Sequence, residues 1–169
     1  ATFRSTEVDI KKDGSLDFDD ETLAGFDCRI AAIHSSFTMS AAEMTARIVK
    51  AVSNQFVDIL AHPTGRLLLQ REPYAVNVEE VLHACALHGV AVEISAHPLR
   101  LDLDWRYIRK ARDLGCKFAI GLDAHEKEDL DFTHLGVAIA RKGWLGKGNV
   151  LNCLTAAQFR KWLSSKRRK

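Results

Sequence analysis

The chain lacks several features that would place it in a specialised class of protein. None of its apolar runs is long enough to cross a membrane, and no signal peptide opens it. Its four cysteines lie far apart without a C-x-x-C pair, so their spacing excludes a zinc finger. No low-complexity linker divides the chain. These absences predict one cytoplasmic domain with reduced cysteines and no membrane partner.

Acidic residues are missing from the C-terminal end of the chain. Residues 160–169 contain six of the 24 lysines and arginines. The rest of the chain has 18 basic and 22 acidic residues. We expect a single domain over residues 1–169 that ends in a basic helix or tail at 155–169. Such a tail favours a solubilising terminus, and contact with nucleic acid is the alternative.

Five short apolar runs predict buried parallel strands, because small and β-branched residues occupy both of their faces. These predicted strands cover residues 6–10, 29–33, 57–61, 90–94 and 117–121. Helical patterns lie between or after them and begin at capping residues, namely Ser40, Asn77, Asp104 and Thr155. The middle three strands begin at residues 29, 57 and 90, the repeat of a β-α unit. The pattern predicts an α/β fold with right-handed crossovers.

Ligand-type side chains follow these predicted strands at the points where the strands end. His34 and His62 each come directly after a strand, Asp123 and His125 follow the last one, and Glu7 lies inside the first. Because the carboxyl ends of parallel strands gather on one face, we expect these side chains to lie close together. Imidazole and carboxylate donors without thiolates suit zinc, manganese or iron. The sequence therefore predicts a metal cluster on this rim.

The stretch GLDAH places Asp123 and His125 two residues apart. In extended chain, residues i and i+2 point the same way, so both side chains are predicted to face the same ions. Two ions bridged by Asp123 or Glu7 would generate hydroxide and stabilise an in-line phosphoryl displacement. Asp123, His125 and His62 are the residues predicted to act in catalysis. For each histidine, an ordinary loop position is the alternative.

Other polar residues lie near the same rim. Arg66 and Arg100 are candidates for binding a phosphate, although surface pairing with an acid explains them equally well. Ser95 and His97 follow the fourth predicted strand. Glu93 lies inside that strand, where it is a buried ion-pair partner, a sheet-edge residue or a functional group.

Five segments carry a resemblance to a known family, namely EVDIKKDGSLDFDDE, AAIHSSF, DILAHPTGRLLLQREPY, EISAHPLRLDLDWR and GLDAH. They resemble the PHP (polymerase and histidinol phosphatase) domain, in the version attached to bacterial and archaeal family X DNA polymerases, and the resemblance extends through GVAIARKGWL. It implies a distorted, TIM-like (β/α)7 barrel that holds up to three divalent ions, manganese or zinc. The residues that match its ligand positions are Glu7, His34, His62, Asp123 and His125.

The chain departs from this family pattern in two respects. The family's first two strands, which carry a His-x-His pair and two further histidines, have no counterpart here. We therefore expect an incomplete barrel of about five β-α units, entered partway, with fewer bound ions. Its open edges favour a homo-oligomer or contact with a polymerase core domain. The family usually has Asn at the positions of Ser95 and His97, so His97 is either a surrogate ligand or a sign that the cluster has drifted.

The resemblance implies a metal-dependent phosphoesterase that hydrolyses DNA 3′ ends by metal-bound hydroxide. Its expected activity is that of a 3′-5′ exonuclease or 3′-phosphodiesterase in DNA repair. One alternative is a small-molecule phosphatase of the histidinol-phosphate type, and another is a non-catalytic accessory domain. Because ligands are missing, we expect the isolated chain to be weakly active or inactive.

Overall fold

Five parallel strands form a single sheet, and their order across the sheet is their order along the chain. The computed structural model describes residues 2–166. The strands are β1 (Ser5–Asp9), β2 (Cys28–Ala32), β3 (Ile59–Leu60), β4 (Ala91–Ser95) and β5 (Phe118–Gly121). Each strand lies within two residues of its predicted position. The predicted parallel α/β architecture is therefore confirmed.

Helices connect and flank these strands. Within the described residues they are α1 (Asp20–Ala24), α2 (Ala41–Val52), α3 (Val78–His88), α4 (Trp105–Asp113), α5 (Thr133–Lys142) and α6 (Ala156–Lys166). The predicted capping residues begin four of them. Ser40 and Glu43 form a reciprocal capping box at α2, and the Asn77 and Asp104 side chains accept backbone N–H bonds at α3 and α4. Thr155 Oγ1 accepts a bond from the backbone N–H of Gln158 at the start of α6.

The two faces of the sheet bury different residues, because successive side chains of a strand point in opposite directions. On one face, strand residues such as Val8 and Ile94 join a large apolar core with side chains of α2 to α5. On the other face, Ile59 and Ala91 belong to a smaller cluster that includes Leu163 of α6. Glu7 and Glu93 are the central residues of β1 and β4, and Glu93 lies on this second face beside Ile59 and Phe159.

The predicted basic segment 155–169 coincides with α6 over most of its length. Its last three residues, 167–169, lie outside the described part of the chain. No helix among residues 2–166 has the length and hydropathy needed to cross a membrane.

Candidate metal centre

Three of the predicted ligands converge at the carboxyl edge of the first three strands. Nε2 of His34 lies 3.2 Å from Oε1 of Glu7, and Nε2 of His62 lies 3.4 Å from the same oxygen. One donor atom from each residue lies within 4.8 Å of the other two. The parallel register explains this convergence, because Ala31 of β2 pairs with Leu60 of β3 and the two histidines follow their strands by the same two residues.

A second carboxylate orients His34 from the side opposite Glu7. Oδ1 of Asp9 lies 2.6 Å from Nδ1 of His34, which leaves Nε2 of that ring directed at Glu7. Carboxylates orient metal-binding histidines in this manner. Hydrogen bonds to Glu7 and then to Asp9 raise the pKa of His34 to about 9. The same contacts with His34, and those with His62, hold the pKa of Glu7 well below its usual range.

His62 is buried at the centre of this group. Its side chain is 3% exposed, Nδ1 has no hydrogen-bond partner among the described residues, and Nε2 has only its 3.4 Å ionic contact with Oε1 of Glu7. Leaving a buried polar atom without a well-formed hydrogen bond costs about 1–3 kcal/mol, so this imidazole is poorly satisfied by the protein alone. A divalent ion between the nitrogen and the carboxylate would satisfy both. The nitrogen and oxygen donors of the group fit manganese or zinc.

Glu93 of β4 contacts the backbone of His62. Its buried carboxylate accepts a 2.6 Å hydrogen bond from the backbone N–H of His62. Burial raises the pKa of Glu93 to about 7, even though the nearby His62 opposes the shift. Of the alternatives open for this residue in the sequence, the structure favours a role at the site.

Asp123, His125 and His97 lie outside the three-residue group. Asp123 has a φ of 51°, so the extended geometry predicted for GLDAH is wrong at this residue. Nδ1 of His125 lies 2.7 Å from the carbonyl oxygen of Asp123, and the His125 side chain is 77% exposed. Nδ1 of His97 accepts a bond from the backbone N–H of Leu99. Metal binding by these three residues stays a prediction.

The two candidate phosphate-binding arginines already have protein partners. Nε of Arg100 lies 2.9 Å from Oδ2 of Asp123. The Arg66 guanidinium donates to the carbonyl oxygens of Arg100 and Leu101, and it pairs with Asp104 at 3.3 Å. Phosphate binding by Arg66 and Arg100 stays a prediction.

Sequence reasoning missed two residues that shape the site. Asp9 follows Glu7 by two positions and so shares its face of β1, a signal that the strand period contains. Arg47 of α2 is buried and donates to the carbonyl oxygens of Lys11 and Ser35 at 2.9 and 3.0 Å, and also to that of Ile10. It thereby holds together the segments that follow β1 and β2. Nothing in its helix pattern distinguished it from a solvent-exposed arginine.

Known proteins resemble this chain over most of its length. The DNA polymerase/3′-5′ exonuclease PolX of Bacillus subtilis (strain 168) is 42% identical over 149 residues, which cover 88% of this chain and 26% of the relative. A probable phosphatase of Thermoanaerobacter sp. (strain X514) is 26% identical over 176 aligned positions, covering 98% of this chain and 69% of the relative. A probable phosphatase of Vibrio parahaemolyticus is 27% identical over 159 positions, covering 89% and 61%.

The chain thus spans about a quarter of the length of the Bacillus polymerase, with which it shares 42% of its residues over the aligned segment. No family model matches the chain. The match to a family X polymerase and the matches to probable phosphatases agree with the two activities that name the PHP domain. The resemblance of this chain to the PHP domain of family X DNA polymerases, predicted from its motifs, is confirmed.

Proposed function

We propose that this chain is a metal-dependent phosphoesterase domain in which Glu7, His34 and His62 hold a divalent ion, manganese or zinc. One observation carries the proposal: two imidazole nitrogens approach the same carboxylate oxygen, and the buried one, at 3.4 Å, makes no well-formed hydrogen bond among the described residues. The names of the relatives, a polymerase/exonuclease and several probable phosphatases, support hydrolysis of phosphate esters.

Each residue of the site has a distinct role in this proposal. A divalent ion there would supply Lewis acidity, which stabilises negative charge on a phosphate and lowers the pKa of water. His34 and His62 would bind the ion through Nε2, and Nδ1–H of His34 donates a hydrogen bond to Asp9. Asp123 and His125, with His62, are the residues proposed to act in catalysis, and the pair extends the ligand set from the neighbouring side of the rim.

Residues around the rim complete this proposal. Arg66 and Arg100 contact the phosphate of the substrate, and His97 is a further ligand in place of the asparagine usual at its position. Arg100 already pairs with Asp123 at 2.9 Å, so both candidate roles fall on one contact at the rim. A bidentate arginine matches the geometry of phosphate oxygens.

DNA 3′ ends are the proposed substrate, and the domain acts there as a 3′-5′ exonuclease or 3′-phosphodiesterase. The 42% identity to a polymerase/3′-5′ exonuclease supports this choice. A small-molecule phosphatase is the second candidate, since the other relatives carry the name of probable phosphatases and one of them is matched over 69% of its length.

We also propose that residues 1–169 form one PHP-type domain whose sheet is part of a distorted (β/α)7 barrel. Sequential strand order with most helices on one face supports a barrel over a doubly wound sheet, in which the order reverses. The other face carries an apolar groove of about 440 Å³ that Ile30, Ile59 and Phe159 help to line. Strands from another segment, a second copy or a polymerase core domain would cover this face. Light scattering with and without such a partner tests this arrangement.

Metal binding is the first test of the proposed function. Calorimetric titration with Mn²⁺ or Zn²⁺, and an anomalous-scattering map of crystals grown with the ion, should locate an ion between His34, His62 and Glu7. Glu7→Gln should abolish that binding, whereas His83→Ala, an exposed histidine of α3, should leave it unchanged. A wild-type protein that binds neither ion contradicts the proposal.

Turnover then distinguishes the two candidate substrates. The protein loaded with Mn²⁺ is given a 3′-labelled single-stranded oligonucleotide or histidinol phosphate. Release of nucleotide supports the DNA 3′-end activity, and release of phosphate from histidinol phosphate supports the phosphatase. Metal binding without either reaction favours a non-catalytic accessory role.

A further inference from the structure

Two buried carboxylates hold the turn that carries His62. This turn, residues 62–65, follows β3 and closes with a 2.9 Å bond from the N–H of Gly65 to the carbonyl oxygen of His62. Glu93 contacts its first residue, and Asp102 contacts its last two. Both acids are at least nine-tenths buried. Burying a carboxylate is costly unless hydrogen bonds satisfy it. Here the backbone N–H groups of one turn satisfy two buried carboxylates, which indicates that the turn must be held in place.

Glu93 acts on the backbone of His62 itself. Its Oε2 accepts the His62 N–H at 2.6 Å, at a residue whose φ of 26° is unusual for a side chain with a Cβ. Strained backbone of this kind persists where its surroundings determine it, and a buried acceptor aimed at the strained residue does so. The bond therefore helps to fix the direction in which the imidazole leaves the backbone.

Gly121 of β5 provides the space in which the Glu93 carboxylate lies. A Cβ placed on Gly121 would come within 1.9 Å of Oε1 of Glu93, closer than any real contact. The φ of Gly121 lies outside the left-handed region, so its backbone suits other residues. The glycine is therefore explained by the carboxylate beside it rather than by its conformation.

Asp102 holds the other end of the turn. Its Oδ2 accepts bonds from the N–H groups of Thr64 and Gly65, at 2.8 and 3.1 Å. Asp102 lies in the segment between β4 and α4, so the turn is fixed from two separate parts of the chain. With both ends of the turn held, the buried His62 ring has little freedom to leave Glu7.

We propose that Glu93 and Asp102 are positioning residues, whose buried carboxylates clamp turn 62–65 and thereby aim Nε2 of His62 at Glu7. This inference rests on the proposed metal site, because aiming the ring matters only if the ring binds an ion. The two acids act through His62 and do not themselves contact the ion.

Substitutions of Glu93 test the clamp through Mn²⁺ affinity, measured by calorimetry and by the electron paramagnetic resonance of bound Mn²⁺. Glu93→Ala removes the acceptor and should weaken binding about 10-fold or more. Glu93→Gln keeps an oxygen that can accept the His62 N–H and should restore affinity to within a few-fold of wild type. Leu82→Ala, which opens a cavity by truncating a buried side chain of α3, controls for lost stability and should bind as wild type does.

Gly121→Ala provides an independent test that leaves Glu93 in place. The added methyl group should displace the carboxylate and weaken Mn²⁺ binding as Glu93→Ala does, whereas Gly148→Ala, at an open position, should have no effect. In the Glu93→Ala background the collision is gone, so Gly121→Ala should add no further loss. This non-additivity is the signature of two residues that act through one contact.

Hydrogen exchange in the metal-free protein tests the clamp without reference to the ion. Glu93→Ala should speed exchange of the His62 amide, and Asp102→Ala should speed exchange of the Thr64 and Gly65 amides. Glu93→Gln should leave His62 protected.

Three results overturn the inference. One is wild-type Mn²⁺ affinity in Glu93→Ala, which leaves the proposed metal site intact. Another is a Glu93→Gln variant as weak as Glu93→Ala, which would make the charge of Glu93, not its hydrogen bond, the important property. The third is unchanged exchange at the turn in all variants. A wild-type protein without affinity for Mn²⁺ is a separate outcome that refutes the proposed function.

Discussion

The Asp9 carboxylate lies 2.6 Å from Nδ1 of His34, on the side of the ring opposite Glu7. Since one ring nitrogen is engaged by Asp9, the other is available to an ion at Glu7 with its orientation set. Asp9, which was not among the predicted ligands, thus orients His34, which was.

Asp9→Asn should weaken Mn²⁺ binding by about 10-fold, because an amide neither orients the imidazole as firmly nor increases its basicity. Both side chains are partly exposed, so the fold should survive the change. Calorimetric titration of the variant against wild type measures the loss. Asp131→Asn, an exposed acid between β5 and α5, is the matched control and should bind normally. Equal affinity of Asp9→Asn and wild type would refute the orienting role of Asp9.

The sequence predicted the sheet and the first half of the site for the same physical reason. Strands with apolar residues on both faces are typical of a buried parallel sheet, whose strand exits gather His34 and His62 beside Glu7. The extended geometry predicted for GLDAH was wrong because the backbone conformation of Asp123 depends on the loop after β5 and not on the strand period. Buried polar residues such as Arg47 were also missed, since their partners are carbonyl groups that a sequence pattern does not reveal.

Protons should compete with the ion at His34. Hydrogen bonds to Glu7 and Asp9 raise the pKa of His34 to about 9 from its usual 6.5, so the His34 imidazole of the metal-free protein is largely protonated at neutral pH. Metal binding requires the neutral imidazole and should release close to one proton per ion near pH 7. Affinity should therefore rise with pH until about 9 and then level off. Calorimetry in buffers of different ionisation enthalpy counts the released protons, and zero release would contradict the assignment.

The same pKa shift predicts how the stability of the metal-free protein depends on pH. A histidine whose pKa is higher in the folded state stabilises the fold most fully below its unfolded pKa of about 6.5, and that contribution is lost as the pH rises through about 9. The unfolding midpoint of the metal-free protein should therefore fall as the pH rises from about 6.5 to about 9. In His34→Gln the fall should be smaller, which thermal unfolding at matched ionic strength measures. A His34→Gln profile identical to wild type would argue against the raised pKa.

Arg47→Met should destabilise the protein by about 2 kcal/mol or more, because it leaves buried carbonyl oxygens without their donor. Arg47 joins the segments after β1 and β2, so the change should also loosen the geometry of Glu7 and His34. Urea unfolding measures the free-energy loss, and Arg109→Met, an exposed arginine of α4, should cost far less. A loss in Arg47→Met no larger than in the control would remove Arg47 from the support of the site.

The Arg100–Asp123 ion pair decides whether Asp123 is available to an ion. Nε of Arg100 lies 2.9 Å from Oδ2 of Asp123, with both side chains mostly buried, so an ion and the guanidinium compete for the same carboxylate. If Asp123 is a ligand, Arg100→Gln should strengthen Mn²⁺ binding or raise its stoichiometry. The substitution should also lower the affinity of the metal-loaded protein for inorganic phosphate, because the guanidinium proposed to contact phosphate is gone.

Titrations of Mn²⁺ and then of phosphate separate these effects. Arg112→Gln, which removes an arginine paired with its exposed neighbour Asp113, should change neither titration. Mn²⁺ binding that Arg100→Gln leaves unaltered would identify Asp123 as the structural partner of Arg100 and remove it from the ligand set. Weaker phosphate binding in that same variant would still assign Arg100 to the substrate, because the two titrations report on different atoms of the pair.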